Sequence, residues 1–326
     1  MKLCAIGCGE HAASSHGPAQ ARYASRHPDL RLAACCDLDP ERAARHRERF
    51  GFARSYSDPW AMLATERPDA VVLVVPADVT CDVACRVLGL GYPLLVEKPP
   101  GRTAAEVDRM AAAAQRGPRP VPHQVAFNRR HAPLVREARA RLAAGGATLD
   151  HVHYEMTRVD RRDPDFSTTA IHGIDAVRFL AGSDYASVRF SYHEHPDRGP
   201  GVADIFMDAV MASGATAHLG FCPTAGVAVE RATLHACGRT FFVHVPMWGG
   251  VDSPGRLWHF EDGQLHAEAA GEQSAEPFVL GGFYSEYEAF LGDLAAGRTP
   301  SPGLRESRQS VAVAERIRHR EGEFHA

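Results

Sequence analysis

Lysine is almost missing from this chain. Of its 36 basic residues only Lys2 and Lys98 are lysines, and the rest are arginine. A general bias toward arginine leaves Lys98 unexplained unless it survives by chance. Lysine offers a compact ammonium whose pKa falls on burial, which marks Lys98 as a candidate for chemistry. Long apolar runs are missing too. None reaches the roughly 18 residues that a membrane span requires, and Met1 and Lys2 lead straight into a strand pattern rather than a secretory signal. The expectation is a cytoplasmic protein without a membrane partner. A formal net charge of −4 gives no electrostatic case for nucleic acid. The eight cysteines lack the density of a disulfide scaffold, so buried free thiols are expected.

What is present is ordinary globular material, 45% apolar and 23% charged, in a chain of 326 residues long enough for two cores. Leu3 to Ile6 is a short apolar run, followed at once by Gly7-Cys8-Gly9-Glu10-His11-Ala12 and then by a helix-length segment. In a strand, tight turn and helix of this kind, glycines let the backbone approach a pyrophosphate and the helix N-terminus offers unpaired amides to its charge. The next strand pattern, Leu30 to Cys36, ends in Asp37, at the distance where an acidic residue meets the adenosine ribose. Asp37 favours NAD and disfavours NADP, whose 2′-phosphate it would repel unless Arg42 compensates. The alternative for Asp37 is a helix N-cap ahead of Pro40.

Helix and strand patterns then alternate: helix 40–50, strand 70–75, helix 79–90, strand 93–96, helix 103–114, strand 121–127. Ala70 to Val75 is apolar at every position, as a central parallel strand covered on both faces requires. A doubly wound Rossmann sheet is expected over residues 1–127, with ligands at the carboxyl ends of its strands. At one such end lies Glu97-Lys98-Pro99-Pro100, and Phe127-Asn128-Arg129-Arg130 follows the last strand. The Gly-rich turn, the acidic strand end, the Glu-Lys-Pro step and the Phe-Asn-Arg-Arg segment together resemble the glucose-fructose oxidoreductase, inositol dehydrogenase and MocA family of NAD(P)-dependent oxidoreductases. The resemblance implies that Lys98 contacts substrate and nicotinamide. The cofactor set expected on this basis is Gly7, Cys8, Gly9, His11, Ala12, Asp37, Arg42, Val75, Pro76, Glu97 and Lys98.

Beyond a helix from about Pro133 to Ala144, stopped by Gly145-Gly146, the pattern changes to alternating strands, among them runs at 188–193, 202–210, 216–221, 256–260 and 265–269. Residues 128–326 are expected to form an α+β domain on a large, mainly antiparallel open sheet, with the C-terminal helices packing back on both lobes. An open apolar sheet face asks for a second subunit. Family members commonly pair through this sheet, which implies a homodimer or homotetramer. Residues 167–182 read as one helix with Gly182 as its stop. Ile171, Ile174, Val177 and Leu180 form its apolar stripe, while Thr168, His172 and Asp175 share another face.

This segment looks like the family's catalytic helix, in which an Asp lies four residues before the His and another three after it. His172 and Asp175 match; the upstream position is Thr168. The resemblance makes Lys98, His172 and Asp175 catalytic candidates, and Asn128, Arg129, Thr168 and Asp175 substrate-binding ones. Thr80 stands where many relatives carry a histidine, and the usual Gly-Gly before the helix is missing. His193-Glu194-His195, like His151 with His153, has no third ligand, so no metal is expected. Asp160 to Asp163 reads as a solvated loop, and Tyr284 and Tyr287, on a helix over 283–295, read as core.

The expected reaction is hydride transfer between a nicotinamide and the secondary alcohol or ketone of a sugar, polyol or sugar derivative. His172 would take the hydroxyl proton, with Lys98 orienting the oxygen and favouring the neutral imidazole. Two other classes fit the same fold: an NAD-dependent glycoside hydrolase acting by transient oxidation, and a non-catalytic NAD-binding regulator.

Overall fold

Strands that are apolar at consecutive positions build the first sheet of the computed structural model, which describes every residue except Gly145, Ala147, Trp248 and Gly249. Six strands, β1 (Lys2–Ile6), β2 (Arg31–Cys36), β3 (Arg54–Tyr56), β4 (Ala70–Leu73), β5 (Leu94–Glu97) and β6 (His123–Ala126), lie in the order β3-β2-β1-β4-β5-β6. Every pairing is parallel. This is the doubly wound order with its switch point beside β1, where a dinucleotide site forms. The helices α1 (Gly17–Arg26), α2 (Pro40–Phe50), α3 (Pro59–Glu66), α4 (Ala77–Gly89) and α5 (Ala104–Ala113) connect the strands. All four residues of β4 are buried, as its unbroken apolar run requires.

Local chemistry sets the helix ends. Asp39 caps α2 by accepting from the amides of Glu41 and Arg42, Pro40 occupies the first turn, and Gly51 stops the helix at φ 80. The cap is therefore Asp39, which leaves Asp37 for another task. Thr103 and Glu106 form a reciprocal capping box on α5. β4 ends at Leu73, two residues before its sequence pattern does, and Val74 and Val75 leave the sheet at its carboxyl edge. β3 and α3 are too short to stand out as patterns.

The chain divides into two compact units, residues 1–127 with 283–311, and residues 128–282 with 312–326. In the first, α9 (Phe283–Ala295) packs on α1. The second holds α6 (Pro133–Ala144), β7 (His151–Thr157), α7 (Ser167–Ala181), β8 (Tyr185–Glu194), β9 (Ala203–Met211), β10 (Thr216–Cys222), β11 (Val229–Ala236), β12 (Arg239–His244), β13 (Arg256–Glu261), β14 (Gln264–Ala270), the single turn α8 (Pro277–Leu280) and β15 (Glu323–His325). Helix α10 (Leu304–Arg318) runs through the division at Val311.

Nine strands form one sheet, ordered β14-β13-β12-β11-β7-β10-β9-β8-β15. All its pairings are antiparallel except that of β7 with β10. Helices α6 and α7 lie against this sheet. Gly173 makes the close approach of α7 possible, because a Cβ there would stand 2.8 Å from the rings of both Tyr154 and Phe221. Gly182 ends α7 in the left-handed region at φ 60, as its position in the sequence implies. Of the Gly145-Gly146 stop expected for α6, Gly145 lies outside the described residues. No helix among the described residues is long and apolar enough to cross a membrane. The described cysteines are free thiols, most of them buried, with Cys237 exposed.

Candidate functional site

In the first unit the glycines of the turn after β1 are not equivalent. Gly7 sits at φ +93, and a Cβ on it would come within 1.8 Å of the Val74 carbonyl oxygen, so the fold itself demands glycine there. A Cβ on Gly9 would meet nothing within 4 Å. Packing does not require glycine at Gly9, whereas close approach of a ligand backbone would. Asp37, at the end of β2, is largely buried and bound at both oxygens. Oδ2 accepts the Cys8 amide at 2.9 Å and Oδ1 accepts the Asp39 amide at 3.0 Å, with an Arg42 nitrogen 3.5 Å away. The carboxylate thus ties the Gly-rich turn to the end of β2.

Around these residues lies a cleft of about 800 Å³, lined by Gly7, Gly9, Asp37, Arg42, Val75 and Pro76 from the expected cofactor set, together with Leu38, Val79 and Val83. Leu38 is 86% exposed and Val79 43%, a placement that suits a flat apolar ligand surface. Sequence reading missed both, although Leu38 adjoins Asp37.

The turn continues into a five-residue π-helix, Ala12–His16, before α1 begins. Its wider turn brings His11 and His16 to one carboxylate oxygen: His11 Nε2 is 2.9 Å and His16 Nε2 3.0 Å from Glu97 Oε1. Behind His16, Gln20 Nε2 donates to the Tyr287 hydroxyl at 2.7 Å, and that hydroxyl lies 2.9 Å from His16 Nδ1. With Gln20 donating, Tyr287 gives its proton to Nδ1 and His16 gives its Nε2 proton to Glu97. Burial pushes the His16 imidazole below its ordinary pKa despite Glu97, which keeps it neutral. Burial alone would raise the Glu97 pKa; the charge and hydrogen bond of His11, the hydrogen bond of His16 and the Lys98 charge outweigh it and hold the carboxyl well below the usual range. This chain of groups fixes the end of β5, from which half-buried Lys98 follows directly. Tyr287 is core, as expected, and is also a hydrogen-bonding part of the Glu97 support. Nothing in its sequence context signals that partner.

In the second unit α7 carries Thr168, His172 and Asp175. His172 is 8% exposed and Asp175 1%. Asp175 accepts two parallel hydrogen bonds from Arg130, 2.7 Å from Nε and 2.8 Å from Nη2, which occupies both carboxylate oxygens. Thr168 Oγ1 donates to the Asp165 carbonyl at 3.2 Å. Arg129 is engaged by fully buried Glu230, which also takes a 2.7 Å bond from Arg158 and a 2.5 Å bond from the Tyr154 hydroxyl. Asn128 is fully buried and donates to the Gly281 carbonyl at 2.7 Å. The protein's own groups thus engage these side chains of Asn128, Arg129 and Asp175. Of the weaker clusters, His195 pairs with Asp204 at 3.0 Å, and the arginines of the 160–163 loop pair with aspartates of the same loop.

Residues 1–122 match the family model described as the oxidoreductase family with an NAD-binding Rossmann fold, GFO_IDH_MocA. Inositol 2-dehydrogenase 2 of Saccharopolyspora erythraea is 31% identical over 179 residues, 53% of this chain and 51% of that protein. The chain therefore spans about half the length of the curated relative it matches. Two solved structures share the fold over nearly all of both chains. A Gfo/Idh/MocA family oxidoreductase from Vibrio cholerae has a TM-score of 0.80 at 22% identity, covering 98% of this chain and 97% of its own. Levoglucosan dehydrogenase in complex with NADH and levoglucosan has a TM-score of 0.82 at 18% identity, covering 100% and 99%. Over residues 1–122, then, the parallel sheet and the Gly-rich turn coincide with a match to the Gfo/Idh/MocA oxidoreductase model and its NAD-binding Rossmann fold.

Proposed function

We propose that this chain is an NAD-dependent dehydrogenase acting on a CH–OH group of a polyol or sugar. The observation that carries the reading is the cleft at the switch point of the first sheet, where Gly9 leaves room that the protein does not use and Asp37 stands at the end of β2. Asp37 fits the ribose hydroxyls of NAD and repels the 2′-phosphate of NADP; Arg42, 49% exposed and shared with Asp39, is only a partial counterweight. The dinucleotide, when bound, supplies the hydride acceptor. Similarity to an inositol dehydrogenase and to levoglucosan dehydrogenase supports a polyol or sugar as the substrate.

In this reading Lys98 donates to the substrate oxygen and stabilises developing negative charge on it, and His172 accepts the hydroxyl proton. Asp175, held on both oxygens by Arg130, orients the helix that carries His172. Thr168 contributes a hydroxyl where the family's upstream Asp would contribute charge, which favours an uncharged polyol face over a cationic one. The reading extends to a homodimer or homotetramer through the exposed face of the nine-stranded sheet, which presents Val210 and Phe242 to solvent; size-exclusion chromatography with light scattering checks it.

The test of the activity is NADH formation by purified protein with NAD or NADP and a panel of inositols, glucosides and anhydrosugars. Turnover with NAD that falls at least about a hundredfold in Lys98→Ala and His172→Ala supports the assignment. Full turnover in either variant, or no binding of NAD by the wild type, overturns it.

A further inference from the structure

Far from the Gly-rich turn in sequence, the hairpin of β13 and β14 gathers three side chains with metal-binding atoms. His259 and Glu261 are two residues apart on β13 and so share a face of the sheet. His266 belongs to β14, and regular alternation does not by itself bring it to them. The register of the hairpin shifts between His259 and Phe260: His259 pairs with Ala267 while Phe260 pairs with Leu265, leaving His266 as the extra residue of a bulge. Bulges re-aim side chains. Here the result is a His259 Nε2 to Glu261 Oε1 distance of 3.3 Å and a His266 Nδ1 to Glu261 Oε2 distance of 3.5 Å, with the ring centroids of the two histidines 5.0 Å apart.

We propose that His259, Glu261 and His266 form a binding site for a divalent transition-metal cation of the zinc class. Ligand atoms at the usual bond lengths of about 2.0–2.1 Å around a tetrahedral ion stand about 3.3–3.4 Å from one another; each histidine nitrogen stands at about that distance from one of the two Glu261 oxygens, and one ligand atom from each of the three residues lies within 4.8 Å of the others. His259 is 4% exposed, its ring is stacked on Phe241 at 4.1 Å, and its buried Nε2 has no hydrogen-bond partner. A buried ring nitrogen left unmatched beside a carboxylate is costly unless something occupies it, and a cation does so. Glu261 and His266 are partly exposed, which gives an ion a path in and leaves coordination positions for water. Arg141 and Arg239 are the nearby cations that oppose the ion's charge, and the Glu261 carboxylate is the group that offsets them.

A second trio, His11, His16 and Glu97, also converges, but there each Nε2 lies within hydrogen-bonding distance of Glu97, so protons already account for the arrangement.

The experiment is titration of untagged, chelator-stripped full-length protein with Co²⁺, read by its visible d–d absorption, followed by displacement with Zn²⁺. One equivalent should bind and raise the melting temperature. His266→Ala and Glu261→Gln, both at partly exposed positions, should each weaken that equivalent at least about tenfold and abolish the stabilisation. His193→Ala and His11→Ala should leave it unchanged. Failure of the wild type to bind an equivalent, or binding that survives in both hairpin variants or disappears only in His11→Ala, overturns the proposal. Far-UV circular dichroism is measured on the same metal-free samples, so a misfolded variant is recognised independently.

Discussion

Arg130 grips Asp175 through two parallel hydrogen bonds of 2.7 and 2.8 Å, one from Nε and one from Nη2, and the carboxylate they hold is almost wholly buried. An Asp on the helix of the candidate catalytic histidine is therefore part of an ion pair in the interior. Removing Arg130 would leave the buried carboxylate facing Arg178 Nη1, 3.8 Å away, in place of two short hydrogen bonds. Arg130→Ala is expected to cost up to about 3–5 kcal/mol of stability, whereas Asp175→Asn, which keeps the shape and an acceptor oxygen and leaves its unpaired charge on the more exposed Arg130, should cost less. Urea denaturation of both variants checks the order; equal losses would mean that the pair is not coupled in this way.

Glu230 makes the second interior cluster sensitive to acid. Burial alone would raise its pKa, but Arg129 and Arg158, aided by the Tyr154 hydroxyl, bring it down to about 2 from an ordinary 4.5. A carboxylate with a depressed folded-state pKa stabilises the protein fully above the unfolded value, and that contribution is lost as pH falls from about 4.5 toward 2. Stability of the wild type should drop across that window. Glu230→Gln should be less stable at neutral pH and show a shallower loss on acidification, measured by thermal melts at successive pH values.

The two glycines of the turn give a paired prediction. Gly7→Ala combines a left-handed backbone with a collision against the Val74 carbonyl, at about 1–3 kcal/mol each for strain and for overpacking. Gly9→Ala meets no protein atom within 4 Å and should change stability by no more than about 0.5 kcal/mol. Its effect should fall on the cofactor instead, weakening NAD at least about tenfold, or about 1.4 kcal/mol. Melting temperatures and fluorescence titration with NADH separate the two outcomes.

Asp37 is expected to set the choice of dinucleotide. Asp37→Ala removes both the repulsion toward a 2′-phosphate and the acceptor of the Cys8 amide. NAD affinity should fall by about tenfold while the preference for NAD over NADP narrows or reverses. The ratio of kcat/KM for the two cofactors measures this, and an unchanged ratio would remove Asp37 from the ribose site.

Much of the first unit was readable because its signals are local. The unbroken apolar run of β4, the glycines after β1 and the acid after β2 each act within a few residues of where they stand. β3 escaped notice because three residues carry no periodicity. In the second unit the alternating runs at 202–210 and 216–221, and at 256–260 and 265–269, are legible in the sequence as strands, while β7, β11 and β12 do not stand out. Only pairing shows that β7 sits inside the sheet, parallel to β10.

By itself, the sequence determined the alternation that makes a doubly wound sheet, the span of α7 from Ser167 to its Gly182 stop, and the placement of Lys98 after a buried strand end, because backbone propensity and burial pattern are properties of neighbouring residues. The tertiary structure alone decided which partner each charged side chain meets. The pairing of Arg129 with Glu230, 101 residues away, is made only in the fold. His16 and Tyr287, 271 residues apart, are joined only in the fold. His266 faces His259 because a bulge shifts the hairpin by one residue. A buried charge must find compensation wherever the packed chain supplies it, and sequence spacing carries no record of contacts closed over such distances.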